Sequence, residues 1–142
     1  FKKGSGIADI PAQLKGKRIG VQRATNFDRY VTEKFAPAGA EIVRYGSQNE
    51  VFLDLLGGRL DATMASSVVI DESLLKRPQG SDDEFVGPNF TEEQFFGTGS
   101  GIAVRKGDAL RERFNHALAT IRANGTYDKI RQKYFDFDIY GE

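Results

Sequence analysis

The sequence predicts an α/β domain in three layers, helices on both faces of a parallel-rich sheet, and three observations lead there. Short β-favouring runs recur at Arg18–Gln22, Glu41–Tyr45 and Leu60–Ala65. Between them lie segments whose apolar residues repeat at intervals of three and four, the spacing of one helix face. The connections are short, and a strand–helix–strand crossover is right-handed in nearly every known case, so neighbouring strands run parallel.

Each element follows from local chemistry. After the first run, Asn26 offers a side-chain oxygen to cap a helix whose stripe is Tyr30, Val31, Lys34 and Phe35. Pro37 and Gly39 stop that helix, since proline removes a donor and glycine permits reversal. Ser47 and Glu50 are spaced as a capping box, followed by Val51, Phe52, Leu55 and Leu56 as the buried stripe and Gly57-Gly58 as the stop. Val68 to Leu75 is weakly helical, Lys76 to Asp83 reads as a polar loop, and Phe85 to Pro88 is a short strand candidate. Ile102 to Arg105 reads as a strand leading into a helix capped by Asp108, with Leu110, Phe114, Ala117, Leu118 and Ile121 on one face. Gly125 stops that helix, and Thr126 caps a final one carrying Tyr127, Ile130 and Tyr134.

Composition narrows function. The 142 residues suffice for one ordinary globular domain. Lys plus Arg and Asp plus Glu are both 20, so no net field draws polyanions and nucleic acid is not an expected partner. There is no cysteine, which excludes thiol catalysis, thiolate metal ligands and disulfides. His116, the single histidine, lies on the polar helix face, and no nucleophile–base motif surrounds it. Asp82-Asp83-Glu84 reads as a solvated loop, and Gly97, Gly99 and Gly101 do not follow a strand and open a helix as a dinucleotide loop must. No catalytic residue, metal or cofactor is expected. The opening Phe1 to Gly6 lacks the order of a signal peptide and reads like the middle of a longer chain.

In an open parallel sheet, ligands bind beyond the carboxyl ends of the strands, where successive connections go to opposite sides. With the first strand central, that point brings Arg23 to Phe27 beside Ser66. Amides opening a helix suit a small anionic group. Thr25 and Asn26 fit either such a cradle or an ordinary helix cap. Arg23 fits a ligand contact or a solvated arginine, and Phe27 a ligand wall or a hydrophobic staple.

Four stretches in order resemble the type II periplasmic solute-binding proteins for polar amino acids, in the histidine and lysine-arginine-ornithine group. They are Leu14 to Gln22, Gly58 to Ala62, Gly101 to Lys106, and Asn124 to Tyr127 with Lys133 to Gly141. The resemblance implies a periplasmic, two-lobed clamp that delivers its solute to ABC permease subunits. Residues 1–98 are then lobe two, and 99–142 are the returning crossover strand and helices that normally complete lobe one. The opening half, with its arginine for the ligand carboxylate, lies outside this sequence.

The resemblance also implies a ligand set: Gln22, Arg23, Ala24, Thr25, Asn26, Phe27 and Ser66. The family commonly has Gly-Thr-Thr or Gly-Thr-Ser where this chain has Ala24-Thr25-Asn26, so Thr25 and the backbone donors of Thr25 and Asn26 carry over best. Where amino-acid binders usually place an aspartate for the α-ammonium, this chain has Ser66, whose hydroxyl supplies no charge. That departure resembles the opine-binding branch, whose ligands carry a substituted amine. The expected function is solute binding, of a polar or basic amino acid or an opine-like derivative. The alternatives are a cyclohexadienyl or arogenate dehydratase on the same fold, and a ligand-sensing domain of a receptor. The apolar face of the helix after Asp108 is expected to drive self-association or a swapped pairing.

Overall fold

The computed structural model describes residues 1–140. It divides into two compact units, Phe1–Gly97 and a second from Thr98 onward. In the first unit the order is β1 (Arg18–Gln22), α1 (Asn26–Lys34), β2 (Glu41–Tyr45), α2 (Gln48–Leu56), β3 (Ala62–Thr63), α3 (Ser67–Ile70) and α4 (Glu93–Phe96). The sheet runs β2-β1-β3, all parallel, with Arg18 opposite Glu41 and Ile19 opposite Ala62.

Strand alternation sorts the core into two layers. Ile19 and Val21 join Leu14, Tyr30, Val31 and Phe35 on the α1 side. On the other side Val51, Phe52 and Leu55 of α2 meet Leu60 and Leu74. Gly20 lies between the two rows, and a Cβ there would come within 2.8 Å of Val51 Cγ1 and closer still to Leu60. The missing side chain lets α2 and Leu60 sit tight on the strand.

Ser47 and Glu50 form the anticipated capping box: Ser47 N donates to Glu50 Oε2 at 2.8 Å and Glu50 N to Ser47 Oγ at 3.3 Å. At the far edge of the sheet, Tyr45 donates to Asp54 Oδ2 at 2.7 Å and Arg59 Nε to Asp54 Oδ1 at 2.9 Å. The Arg59 bond first, and the Tyr45 bond second, hold the Asp54 carboxyl below its ordinary value.

Several expectations are corrected. The third strand covers only Ala62–Thr63, because Leu60 is drawn into the α2 cluster. Asp61 turns to the start of β1, its Oδ2 accepting from Arg18 N at 2.8 Å. The cap of α1 is Thr25, not Asn26: Asp28 N donates to Thr25 Oγ1 at 3.1 Å. Phe85 to Pro88 form no strand. Gly87 has φ +86° and Pro88 has no N–H to give a ladder. The pairing there falls earlier, as a Lys2–Asp83 antiparallel bridge. Asp83 is therefore buried rather than solvated, and burial raises its carboxyl pKa. Val68 to Leu75 is helical, α3 passing into one π turn at Asp71–Leu75.

The second unit contains α5 (Leu110–Ala123) and α6 (Thr126–Arg131). Asp108 Oδ1 accepts from Leu110 N at 2.9 Å, so it serves the first turn from just outside the helix. Gly125, at φ +75°, stands at the cap of α6 where Thr126 was expected, and Asn124 Oδ1 takes the Thr126 amide at 3.0 Å. Ile102 to Arg105 are not a strand, since no segment among the described residues pairs with them. Leu110, Phe114 and Leu118 remain 39–40% exposed, and α5 buries no residue. Arg122 stacks 3.4 Å over the Tyr140 ring, which meets Tyr127 edge-on at 5.6 Å.

Candidate functional site

The candidate site begins where β1 ends. Arg23 N donates to Tyr45 O at 3.0 Å, extending the ladder by one residue. The chain then turns sharply at Ala24, the one non-glycine with positive φ (+60°) among the described residues. Ala24 stands where the resembled family commonly has glycine, and it adopts the conformation that glycine favours. Thr25 secures the turn twice, donating from Oγ1 to Gln22 O at 2.8 Å and accepting from Asp28 N. The amide of Ala24 goes to Asp28 Oδ2 at 3.1 Å.

Three amides then remain. The N–H groups of Thr25, Asn26 and Phe27 meet no acceptor among the described residues. They open a nine-residue helix whose positive dipole end lies at the same place. Such a cluster is suited to a carboxylate or phosphate.

Ser66 emerges from the same sheet edge. Gly20 and Thr63 are register partners on parallel strands, so Arg23 and Ser66 each lie three residues beyond them. The crossover from β1 goes to β2 on one side and the next returns from β2 past β1 to β3 on the other, which makes the end of the central strand the switch point. Ser66 is half-buried, accepts from Ile70 N at 3.0 Å through its carbonyl, and has no side-chain hydrogen bond. Arg23 is exposed and its guanidinium has no partner among the described residues.

The remaining candidates are placed differently from one another. Gln22 reaches toward the loop before α2, its Nε2 donating to Gly46 O at 3.5 Å. Phe27 is not a staple, because the residue preceding the cap is Ala24. Its ring instead lies 5.7 Å from Phe96, at the margin of an aromatic cluster with Tyr30, Phe90 and Phe95. A shallow depression of about 430 Å³ on that cluster, lined by Ile10, Tyr30, Phe90 and Glu92, shares no residue with the loop.

Two residues escaped the sequence reading, Asp28 and Arg44. The signal for Asp28 was its spacing from Thr25, an acidic residue three positions after a threonine cap. Arg44 carries none, because only the fold brings β2 beside α1. Among the described residues no group of His, Cys, Asp and Glu is arranged to hold a metal. No helix there is long and apolar enough to cross a membrane.

A parallel α/β unit carries unpaired helix-opening amides at its switch point, an arrangement suited to a small anionic group. Residues 3–137 match the family model for bacterial extracellular solute-binding proteins, family 3, and the chain belongs to that family. It is 50% identical over 142 residues to an L-arginine-binding protein of Pseudomonas aeruginosa, covering 99% of this chain and 55% of that one. Against a histidine-binding periplasmic protein of Salmonella typhimurium it is 46% identical over 140 residues, covering 98% and 54%. A solved structure of an ancestral arginine-binding protein bound to arginine superposes with a TM-score of 0.69 at 34% identity, covering 94% of this chain and 57% of that one. The chain thus spans about half the length of the curated relatives it matches.

Proposed function

We propose that this chain is about half of a periplasmic receptor that captures a polar or basic amino acid, or a derivative retaining its carboxylate, and presents it to ABC permease subunits. The observation that carries the reading is the set of free amides at Thr25, Asn26 and Phe27, aimed outward from the start of α1. They offer charge-assisted bonds to a carboxylate without contributing a competing acceptor. The relatives named for arginine and histidine support an amino acid as the solute. Residues 1–98 act as lobe two and 99–142 as the returning part of lobe one, so the site is completed by the half that lies outside this sequence. The loop offers the neutral polar groups of threonine, asparagine and serine, and its one carboxylate, Asp28, is tied to Ala24 N and Arg44, which supports binding as the role.

Ser66 favours a second reading of the ligand. A serine supplies no charge to an α-ammonium, and a substituted amine, as in an opine, loses less there than a free one. Isothermal titration of the full-length protein with arginine, histidine, lysine and an arginine-derived opine tests both. Saturable one-to-one binding of at least one is expected, with the opine tightest; tight arginine or histidine binding with none for the opine removes the second reading, and no binding of any removes the first.

The α5 stripe of Leu110, Phe114 and Leu118 is the surface we assign to lobe one. On this chain by itself it is to be covered by a second copy, giving a dimer by sedimentation; a monomer at micromolar concentration would contradict that.

A further inference from the structure

The carboxylate of Asp28 lies at the helix end that is meant to attract an anion. Left bare, it repels a carboxylate ligand and competes for the same dipole. The structure gives it two partners instead. Its Oδ2 accepts from Ala24 N at 3.1 Å. Its Oδ1 accepts from Arg44 Nε at 2.7 Å, and Arg44 Nη2 donates to Thr32 Oγ1 at 2.7 Å, whose hydroxyl donates in turn to Asp28 O at 2.7 Å. The Asp28 side chain is 14% exposed, so the pair is well shielded from solvent on the acidic side.

We propose that Asp28, neutralised by Arg44, is a positioning residue of the ligand site. It locks Ala24 in the left-handed turn that turns the Thr25, Asn26 and Phe27 amides outward, and Arg44 removes the negative charge that such a lock would place beside the ligand. The role rests on the amino-acid reading given above.

The geometry divides the work between the two side chains. A Cβ-bearing residue at φ +60° is sparsely populated in free chains and persists where its surroundings over-determine it. The Ala24 amide has one acceptor, Asp28, and no other group holds that peptide unit from this side. Backbone amides act as a cradle only if their directions are fixed before the ligand arrives, so loosening the turn weakens binding by the cost of refixing it. Arg44 contributes no donor to the cradle; its part is to balance charge and to hold the carboxylate's orientation from β2.

Titration of arginine or histidine into the full-length protein and four variants separates this from a purely structural role, with a thermal melt for each. Asp28→Ala is expected to weaken binding about tenfold and Arg44→Met about fivefold. Asp28→Asn keeps an acceptor for Ala24 and loses less than Asp28→Ala. Asp28→Asn combined with Arg44→Met recovers part of the loss of Arg44→Met alone, because no uncompensated charge then faces the ligand. A structural role would instead lower the melting temperature and leave the double variant no better than Arg44→Met. Affinities of Asp28→Ala and Arg44→Met within twofold of the parent, or no recovery in the double variant, overturn the proposal. Should the parent bind none of these amino acids, the site reading falls and this role falls with it; a parent that binds while the variants match it defeats the positioning role alone.

Discussion

Replacing Gly20 with valine is expected to destabilise the protein by about 3 kcal/mol or more, the largest single-residue effect the core offers. Gly20 is buried at the centre of the middle strand, paired to Val43 on one side and Thr63 on the other. Its neighbours Ile19 and Val21 point toward α1, which leaves position 20 facing α2 and Leu60. A single added carbon already falls 2.8 Å from Val51 Cγ1 and nearer to a Leu60 methyl. Neither can withdraw freely, since Val51 is fully buried and Leu60 is 4% exposed. Valine adds two further methyls to that crowding, so α2 must lift from the sheet or the strand must leave its register. Alanine at the same place costs less, about 1–3 kcal/mol. Urea melts measure both, and Gly20→Val is expected to lower a thermal midpoint by roughly 6–12 °C. Adding Leu60→Ala to Gly20→Val frees volume where the valine needs it and restores part of the loss. A Gly20→Val protein within 1 kcal/mol of the parent would mean that α2 does not rest on the strand as described.

The same strand shows why much of the fold was legible and where legibility ended. β1 and β2 are short β-favouring apolar runs flanked by polar residues, and their bounds are the expected ones. The capping box of α2 is equally local, four residues that satisfy each other wherever they are placed. β3 is different: Leu60 to Ala65 has strand composition, but only two residues find a partner, because Leu60 has a better site in the α2 layer. Ile102 to Arg105 shows the stronger form of this effect. Its residues suit a strand, and a strand without a neighbour has no ladder to join. Composition reports what a segment can pair with, not whether a partner is present.

The site divides along the same line. The free amides at Thr25 and Asn26 follow from a strand that ends before a helix, which the sequence displays. The cap itself lay one residue from its expected place: threonine and asparagine are both good caps, and it is Thr25 Oγ1 that takes the Asp28 amide while the Asn26 side chain makes no hydrogen bond among the described residues. Arg44 was invisible, because its tie to Asp28 spans 16 residues and depends on β2 lying beside α1. Phe27 went to the aromatic cluster through Phe96, a contact that spans most of the first unit.

A proline at position 26 isolates the amide cradle from everything else in the loop. Asn26 is the first residue of α1, the helical position where proline is best tolerated, because its N–H has no partner within the helix. Proline also restricts the residue before it to extended backbone, and Thr25 is already there at φ −104°, ψ 166°. The Asn26 side chain is exposed and makes no hydrogen bond, so its loss disturbs no contact. Asn26→Pro therefore deletes one N–H from the cradle while keeping the Thr25 cap, the Ala24 turn and the Asp28 clamp. Stability is expected to stay within about 1 kcal/mol of the parent. Binding of a carboxylate ligand to the full-length protein loses one charge-assisted hydrogen bond, about 1.5–3 kcal/mol, or roughly 10- to 150-fold in Kd. Asn26→Ala serves as the control, keeping the amide without the side chain, and belongs within about threefold of the parent. If the proline and alanine variants bind alike, the ligand does not use this amide and the carboxylate lies elsewhere. If the proline variant is the weaker while both melt near the parent, the backbone at the start of α1 is what holds the solute, and the identity of residue 26 is free to vary.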